Sequence, residues 1–434
     1  MKKYLLILLI AICVVSCGDK DKNISTYTVK FESNGGSAVE PLTRVVSGSI
    51  INAPEDPVWA NHTFVGWFTD DETFVRPWDF ATKVVTADMV LYARWLEGVW
   101  TKVRTATDLD AVREDLAGNY LLMNDISLAD YSSGEGWRPI GDSWHTAFTG
   151  KFDGNDYTIT NLTINRPEED FVGLFGFIDG GSVANLGVEI GAGGVNGGIY
   201  VGGVAGYIEN SIITNCYSTG SISSYSYFPF VASSYSYSGG ITGYVYSSTI
   251  TKCYSIGDIS SSSSFAYSGG IAGIVSDNST ITNCYSTGNI SSVLRSYSGG
   301  IAGNLRNSII TNCYSIGRIS SDFSYAGSSG GIAGTVNTGT ITNCVAINSL
   351  INGRYAGGIV SLIYGPLMTS NNFAVDEIVL MGDETQGDNG TPKTLTEFRT
   401  RDTYETGLGW DFATVWKMPA SGGGFPIFRW QVGQ

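Results

Sequence analysis

The chain has 434 residues, of which only 15% are charged and 56 are glycine, and its formal net charge is −15. A negative charge of this size repels nucleic-acid phosphates, so the composition argues against a nucleic-acid partner. The length is sufficient for two or three domains. Residues 199 to 360 contain four acids and five bases, so the excess negative charge lies in the segments on either side.

The chain begins with a lysine-containing start and the apolar run Tyr4–Val15, which predicts a secretory signal over residues 1–16 and is short for a membrane span. The stretch Val14–Cys17 resembles the lipobox of bacterial lipoproteins. This resemblance implies a lipid on Cys17, a membrane partner, and an outer-membrane location, exposed at the cell surface, with residues 17–25 as a tether. The alternative is an ordinary signal peptide with a chance cysteine.

Residues 26–96 predict a small all-β unit. Thr28–Phe31 alternates polar and apolar residues as a half-buried strand does, and Asn34–Gly36 supplies a tight turn. Phe64–Phe68 and Val90–Trp95 are two further strand-like, aromatic runs.

Four spaced motifs in this unit resemble the Listeria–Bacteroides repeat of the internalin B-repeat type. They are Phe31–Ser37, Phe64–Asp70, Trp78–Phe80 and Leu91–Trp95. The resemblance implies a β-grasp-like module of a surface protein, without catalysis. The aromatic residues Trp67, Trp78 and Trp95 suit either a sugar site or the core of the module, and we expect the core.

The connector, residues 97–118, contains Thr107 and Asp110 at capping distance and Leu109, Val112 and Leu116 at helical spacing. We therefore expect a short capped helix here. Its function would be to cover the open end of the following structure, where strand edges are otherwise exposed.

Residues 119–370 form a repeat array. Gly-Gly pairs begin at residues 202, 239, 269, 299, 330 and 357, and most are followed by a shared Ile-Thr-Asn-Cys-Tyr-Ser pattern. A period near thirty residues with short strands and glycine turns is typical of coils stacked on copies of themselves. The predicted fold is all-β, a parallel β-helix preceded by the small N-terminal module.

The array resembles the GLUG repeat family, whose Gly-Leu-x-Gly core is plainest at Val172–Gly176 and returns as Gly-Ile-Ala-Gly. The resemblance implies a right-handed parallel β-helix in an adhesin-like surface protein. Residues 371–434 are less repetitive and rich in aromatics, which predicts an irregular C-terminal cap with a strand or two.

One cysteine recurs in each repeat, without a close-spaced metal pattern. These are Cys216, Cys253, Cys284, Cys313 and Cys344. Cβ vectors that run parallel on stacked coils suit a disulfide poorly, so we expect a buried ladder of free thiols rather than disulfides or a metal site. The preceding asparagines predict a structural amide ladder, which Lys252 interrupts.

A tyrosine follows the cysteine in four repeats, at Tyr217, Tyr254, Tyr285 and Tyr314. Side chains alternate along a strand, so a buried cysteine places the tyrosine outside the coil. We expect these four tyrosines to form an exposed aromatic stripe that is a candidate ligand site.

The segments between repeats are rich in serine and tyrosine, the composition of adaptable binding surfaces. We interpret them as binding loops; the alternative is a coil side on which serine and tyrosine alternate along a strand. The candidate ligand-binding residues in these segments are Tyr225, Tyr227, Tyr235, Tyr237, Tyr267, Tyr297 and Tyr325.

The most direct function for this sequence is adhesion or capture of a glycan or a host or cell-surface protein through these loops and the coil face. A passive stalk is the main alternative. A polysaccharide-degrading β-helix enzyme is the third, but the repeats contain few acids at differing positions and both histidines, His62 and His145, lie outside them. We therefore expect no enzyme activity, no catalytic residue, no metal and no cofactor.

Overall fold

The structure is a computed structural model that describes residues 24–434 except 73, 75–76, 226–233, 324–325, 384–386, 421 and 432–434. It divides into two compact units, Met1–Glu97 and Gly98–Gln434. The signal segment, Cys17, Tyr227 and Tyr325 lie outside the described residues. No helix among the described residues has the length and apolar character needed to span a membrane.

The N-terminal unit is a four-stranded mixed sheet. Its strands, in sheet order, are Leu42–Val46, Thr26–Glu32, Met89–Glu97 and His62–Phe68, and the central pair is parallel. Trp67 is 3% exposed, and Trp78 and Trp95 pack against the same core. The expectation that these three tryptophans are core residues is confirmed.

The second unit is a parallel β-solenoid, as predicted. Each complete coil contributes strands to five ladders, which we number from the Gly-Gly pair onward, and some long strands bend from one ladder into the next. Equivalent residues stack in register, as Ile213, Ile250 and Ile281 do. Because neighbouring coils pair in parallel along these ladders, each repeat position becomes a column along the solenoid.

The strands of each ladder are as follows. Ladder one contains Phe175–Asp179, Ala205–Glu209, Thr242–Tyr246, Ala272–Ser276, the first part of Ala302–Thr311 and of Ala333–Thr342, and Val360–Ile363. Ladder two contains Thr101–Val103, Asn119–Leu122, Lys151–Asp153, Ser182–Ala184, Ile212–Thr214, Thr249–Thr251, Thr280–Thr282, the second part of Ala302–Thr311 and of Ala333–Thr342, and Leu367–Ser370.

Ladders three to five complete each coil. Ladder three contains Ile126–Ser127, the starts of Thr158–Arg166 and Gly187–Gly197, Tyr217–Thr219, Tyr254–Ile256, Tyr285–Ser286, Tyr314–Ser315, Val345–Ala346, Phe373–Val375 and Thr391–Lys393. Ladder four contains the ends of Thr158–Arg166 and Gly187–Gly197, Ile222–Tyr225, the starts of Ile259–Gly269 and Ile290–Gly299, Ile319–Ser321, Leu350–Asn352 and Val379–Met381. Ladder five contains Phe171–Val172, Tyr200–Gly202, Tyr235–Gly239, the ends of Ile259–Gly269 and Ile290–Gly299, Ser328–Gly330 and Tyr355–Gly357.

A short helical segment lies at the N-terminal end of the solenoid, as expected for the connector. The α-helix Ala106–Asp110 continues into a 3₁₀ turn over Ala111–Glu114, and its side chains Leu109 and Val112 are fully buried in the solenoid core. The capping pair was misplaced by two residues. Thr105 is the N-cap, and its hydroxyl accepts a hydrogen bond from the Asp108 amide. The Asp108 carboxylate in turn accepts a hydrogen bond from the Thr105 amide.

The C-terminal segment adds a 3₁₀ turn at Glu397–Arg399, the α-helix Arg401–Leu408 and an antiparallel pair, Trp416–Lys417 with Ile427–Phe428. A further 3₁₀ turn, Ala129–Tyr131, follows the ladder-three strand Ile126–Ser127 near the start of the solenoid. The C-terminal segment therefore has the irregular form that the sequence predicts.

The solenoid interior contains the predicted cysteine ladder. Cys216, Cys253, Cys284, Cys313 and Cys344 are all free and fully buried. Each sulfur donates to a nearby carbonyl, as Cys216 does to Thr214 O at 3.2 Å. Burial raises the pKa of the Cys216 and Cys313 thiols, so they remain protonated and unreactive.

The asparagine that precedes four of the five cysteines occupies the left-handed backbone region, with φ of 52° at Asn215 and at Asn283. Amide contacts link part of this column, since Asn215 Nδ2 donates to Asn185 Oδ1 at 3.0 Å. Lys252 adopts the same conformation with φ of 54°. The Cβ of a lysine crowds the backbone in this region, whereas asparagine tolerates it. A side-chain hydrogen bond lowers the pKa of the Asp411 carboxyl most, and the Lys252 charge is only the smallest of the causes that lower it.

We therefore expect Lys252→Asn to stabilise the solenoid by about 1 kcal/mol, since an ordinary side chain in this conformation costs about 1–2 kcal/mol. A higher urea midpoint, followed by circular dichroism, is the expected result. The reciprocal variant Asn283→Lys should lower the midpoint by a similar amount. An unchanged midpoint for both variants would show that the backbone at this corner imposes no such cost.

Candidate functional site

In the last serine-rich segment, Ile319–Ser321 is a strand, whereas Asp322 and Phe323 lie outside the strands. The other serine- and tyrosine-rich segments are strands over nearly all of their described length, and the interpretation as loops was wrong there. They run through Ile222–Tyr225, Tyr235–Gly239, Ile259–Gly269 and Ile290–Gly299. Serine side chains point into the coil and form a buried hydroxyl network, for example Ser238 Oγ with Ser261 Oγ at 2.8 Å. The alternating tyrosines point outward, so the rigid coil itself, rather than a loop, presents them.

The tyrosine column of ladder three is not an exposed stripe, which corrects a second expectation. Its rings do stack outside the coil interior, at centroid distances of 5.0, 4.9 and 4.7 Å from Tyr217 through Tyr254 and Tyr285 to Tyr314. The C-terminal segment covers them, so Tyr254, Tyr285 and Tyr314 are buried and Tyr217 is half-buried.

This cover uses both aromatic packing and hydrogen bonds. Trp416 and Phe428 lie against the stack, with Phe428 5.4 Å from Tyr285. The Tyr314 hydroxyl donates to the Pro426 carbonyl at 2.7 Å, and the Gln431 amide donates to the Tyr285 hydroxyl at 2.7 Å. This column therefore holds the C-terminal segment in place instead of facing a ligand.

A second set of outward aromatics lines the corner where ladder five turns into ladder one. We call it the aromatic groove. Its ladder-five wall consists of Phe171, Tyr200, Tyr237, Tyr267 and Tyr297. Its ladder-one wall consists of Phe177, Tyr207, Tyr244, Ile274 and Asn304. Tyr237, Tyr267 and Tyr297 were predicted as site residues, whereas the others were missed.

The rings show that this corner is concave. Tyr200 meets Tyr207 edge-on with centroids 5.1 Å apart and planes at 85°, and Tyr237 meets Tyr244 at 5.5 Å and 89°. Outward side chains of two adjoining strands can meet only at a concave corner, and here the rings largely fill it. Phe177, Tyr207 and Tyr267 are buried, and Tyr200 and Tyr237 are half-buried. The Gly-Gly pair between the ladders leaves no room for a side chain, since a Cβ on Gly239 would overlap the Thr242 carbonyl oxygen.

The rings stack on one another along the ladder-five wall, and in the ladder-one wall Tyr207 stacks on Tyr244 with centroids 5.0 Å apart. Tyr200 and Tyr237 are 5.2 Å apart at 12°, and Tyr267 and Tyr297 are 4.8 Å apart at 19°. Each stacked ring covers the face of its neighbour, so the groove presents mainly ring edges and hydroxyl groups.

The groove tyrosines carry neutral hydroxyls. Burial, with nearby tyrosines as a smaller cause, raises the pKa of Tyr200 and of Tyr297 to about 12. Burial also raises the pKa of Tyr207, Tyr237 and Tyr267. Each phenol can therefore both donate and accept a hydrogen bond near neutral pH, and none of them is a ready general base.

An outer column of residues forms each rim of the groove. Tyr235, Phe265 and Arg295 follow one another on the ladder-five rim. Asp179, Glu209, Tyr246, Ser276 and Arg306 follow one another on the ladder-one rim. At the N-terminal end of the groove, the 53% exposed Trp144 packs edge-on against Phe171 at 4.7 Å and against Tyr207 at 5.0 Å.

The remaining predicted residues divide between the rim and another face. Tyr235, 41% exposed, belongs to the ladder-five rim, whereas Tyr225, 43% exposed, lies on ladder four outside the groove. A signal for the missed ladder-one wall was present in the sequence. Tyr207 and Tyr244 directly follow the second glycine of their Gly-x-x-Gly cores, and so does Phe177.

Metal chemistry has no support in the described part of the chain, where no cluster of three or more histidine, cysteine or acidic side chains is suited to hold an ion. Burial and the nearby Asp179 raise the pKa of Glu209 at the groove rim. The site is therefore a recess of neutral hydroxyls and ring edges with charged rims.

Family comparisons agree with the two resemblances seen in the sequence. Residues 27–94 match the Listeria-Bacteroides repeat domain, and residues 197–223 and 266–291 match the GLUG motif. The chain is thus a β-solenoid in which two segments match the GLUG motif, preceded by a segment that matches the Listeria-Bacteroides repeat domain. A protein of Evansella cellulosilytica that is provisionally named a membrane protein is 47% identical over 72 residues, which is 17% of this chain and 10% of that protein.

Two solved structures resemble the chain. A crystal structure provisionally titled an immunoglobulin A1 protease from Bacteroides ovatus has 22% identity and a TM-score of 0.49, covering 76% of this chain and 92% of that one. A structure titled IgA1 Protease has 16% identity and a TM-score of 0.51, covering 77% of this chain and 26% of that one. At 16% identity, the second likeness shows a shared fold alone.

Proposed function

We propose that this chain is a non-catalytic binding protein of the bacterial cell surface, tethered to the outer membrane by a lipid on Cys17, that captures an extended ligand in the aromatic groove. The observation that carries the proposal is the groove itself. Rigid strands hold its rings, so a ligand orders few side chains when it binds, and tyrosine gives contact area at low entropic cost.

Three further features support this assignment. The apolar start and the Val14–Cys17 stretch are those of an exported lipoprotein. A relative carries the name of a membrane protein. The groove tyrosines, with their raised pKa, are suited to hydrogen bonding rather than to proton transfer. The similar solved structures are titled as proteases, but a shared fold does not transfer an activity.

The test is a binding screen of residues 18–434 against arrays of glycans and of extracellular proteins. The groove variant Tyr235→Ser with Tyr246→Ser removes one ring from each rim of the same coil. We expect this variant to weaken the binding of a ligand held in the groove by about tenfold or more, since aromatic anchors dominate such interfaces.

Tyr225→Ser is the matched control, because this tyrosine is as exposed as Tyr235 but lies on ladder four. A ligand that is lost in the groove variant and kept in the control supports the proposal. A ligand that both variants retain would place the binding site elsewhere on the chain. A folded protein that retains nothing from either array would favour the passive stalk.

A further inference from the structure

We infer that the groove binds an extended polypeptide segment and orients it by charge, with acidic side chains of the ligand held between Arg295 and Arg306. The inference rests on the proposed function and names the ligand class of the same site. It follows from three features of the groove: the charges along its rims, the free state of its two arginines, and the way in which its rings are stacked.

The rim charges change sign along the groove. On the ladder-one rim, Asp179 and Glu209 occupy the first two coils, the uncharged Tyr246 and Ser276 occupy the next two, and Arg306 occupies the fifth. The ladder-five rim reaches Arg295 at the same coil as Arg306. Two positive groups therefore stand on opposite rims at one end, and two negative groups mark the other end.

Neither arginine has an acidic partner among the described residues. Both side chains are exposed, and the ion pairs formed elsewhere by described arginines, such as Arg166 and Arg401, involve neither of them. Arg295 lies over the Phe265 ring at 5.8 Å, which holds its guanidinium at the rim. The net charge of the chain is −15, so acidic side chains that could pair with these two arginines are abundant, yet neither guanidinium group pairs with one in the described part of the chain. On facing rims they can bind carboxylates of a ligand.

The stacking of the rings favours a peptide over a sugar. A sugar that packs on an aromatic residue needs an open ring face. Neighbouring rings cover these faces along the ladder-five wall, and Tyr207 and Tyr244 cover each other in the ladder-one wall. Extended peptides, in contrast, dock in grooves lined by aromatic side chains. The neutral phenol hydroxyls of Tyr200, Tyr237 and Tyr297 can donate to peptide carbonyls and accept from peptide amides.

The test uses residues 18–434 and an array of synthetic peptides of equal length that are acidic, neutral or basic, beside an array of acidic and neutral glycans. We expect the acidic peptides to bind best and to weaken as ionic strength rises. The double variant Arg295→Glu with Arg306→Glu should bind acidic peptides with an affinity lower by about tenfold or more. It should also bind basic peptides more tightly than the unaltered chain does.

Arg318→Glu is the matched control, because Arg318 is an exposed arginine at the turn into ladder four, away from the groove. The inference is overturned if acidic peptides bind no better than neutral ones, if no peptide binds, if only glycans bind, or if the control loses as much affinity as the double variant.

The tyrosine variant of the preceding section separates this failure from failure of the proposed function. Binding that Tyr235→Ser with Tyr246→Ser abolishes, but that reversal of both arginines leaves unchanged, keeps the groove as the site and rejects charge orientation. Binding that neither variant changes rejects both the site and its proposed ligand class.

Discussion

Trp416→Ala is expected to destabilise the solenoid by about 3–5 kcal/mol, the usual cost of truncating a fully buried aromatic residue. Trp416 is fully buried and packs 4.5 Å from Phe428, 4.7 Å from Trp410 and 6.0 Å from Tyr314. Its loss would open a cavity between the C-terminal segment and the ladder-three tyrosines. A lower urea midpoint and faster hydrogen exchange at Tyr285 and Tyr314 are the expected readouts.

Trp144→Ala is the matched control for this prediction, because Trp144 belongs to the same unit but is 53% exposed. It should lower the midpoint much less, since little buried surface is lost. Equal midpoints for the two variants, with unchanged exchange at Tyr285, would mean that the C-terminal segment contributes no stability to the coils beneath it.

Gly288→Ala is expected to cost about 3 kcal/mol or more, because overpacking inside a tight structure forces the backbone to move. A methyl group on Gly288 would overlap the carbonyl of Gly257 in the preceding coil, and Gly317 would meet Gly288 in the same way. These glycines stack at the turn between ladders three and four, where neighbouring coils approach with no room for a side chain.

The neighbouring change Thr287→Ala is the control for Gly288→Ala. It removes atoms at the same turn instead of adding them, and Thr287 is half-buried. We expect a much smaller drop in the urea midpoint, monitored by circular dichroism. If Gly288→Ala unfolds at the same denaturant concentration as the unaltered chain, the coils are more loosely stacked than these contacts indicate.

The fold could be predicted largely because it repeats. One coil cannot bury its own apolar side chains, so a residue that returns in every unit, such as Cys253 or Ile250, must stack on its copies. The turn residues are equally direct signals. A recurring asparagine ahead of four of the five cysteines matches a left-handed corner, which the structure shows at Asn215 and Asn283.

The serine-rich segments were misjudged because the interior behind them is polar. A strand is normally recognised by apolar residues at every second position, and here the inward positions hold serines such as Ser238, Ser261 and Ser268. Their hydroxyls satisfy one another and nearby carbonyls, as Ser261 does with Tyr267 O at 3.0 Å. The tyrosines between them therefore lie on strands, as in the alternative that serine and tyrosine alternate along a coil side, and not on loops.

The burial of the ladder-three tyrosines could not be predicted from local sequence. Alternation along the strand correctly directs Tyr285 and Tyr314 away from the coil interior. What covers them lies far along the chain, since the Tyr314 hydroxyl contacts Pro426 and the Tyr285 hydroxyl contacts Gln431. No periodic signal in residues 371–434 indicates which ladder this segment packs on.

The in-phase stacking of the coils has a consequence for how this protein can vary in evolution. Two segments that cover the coils lie outside the repeats. One carries Leu109 at the N-terminal end, and the other carries Trp416 and packs on ladder three. Duplication or loss of one repeat in the gene would leave these segments unchanged and would lengthen or shorten the groove by one strand spacing, about 4.8 Å. Under the proposed function, related genes that differ in repeat number would encode proteins that select ligands of different length with the same chemistry.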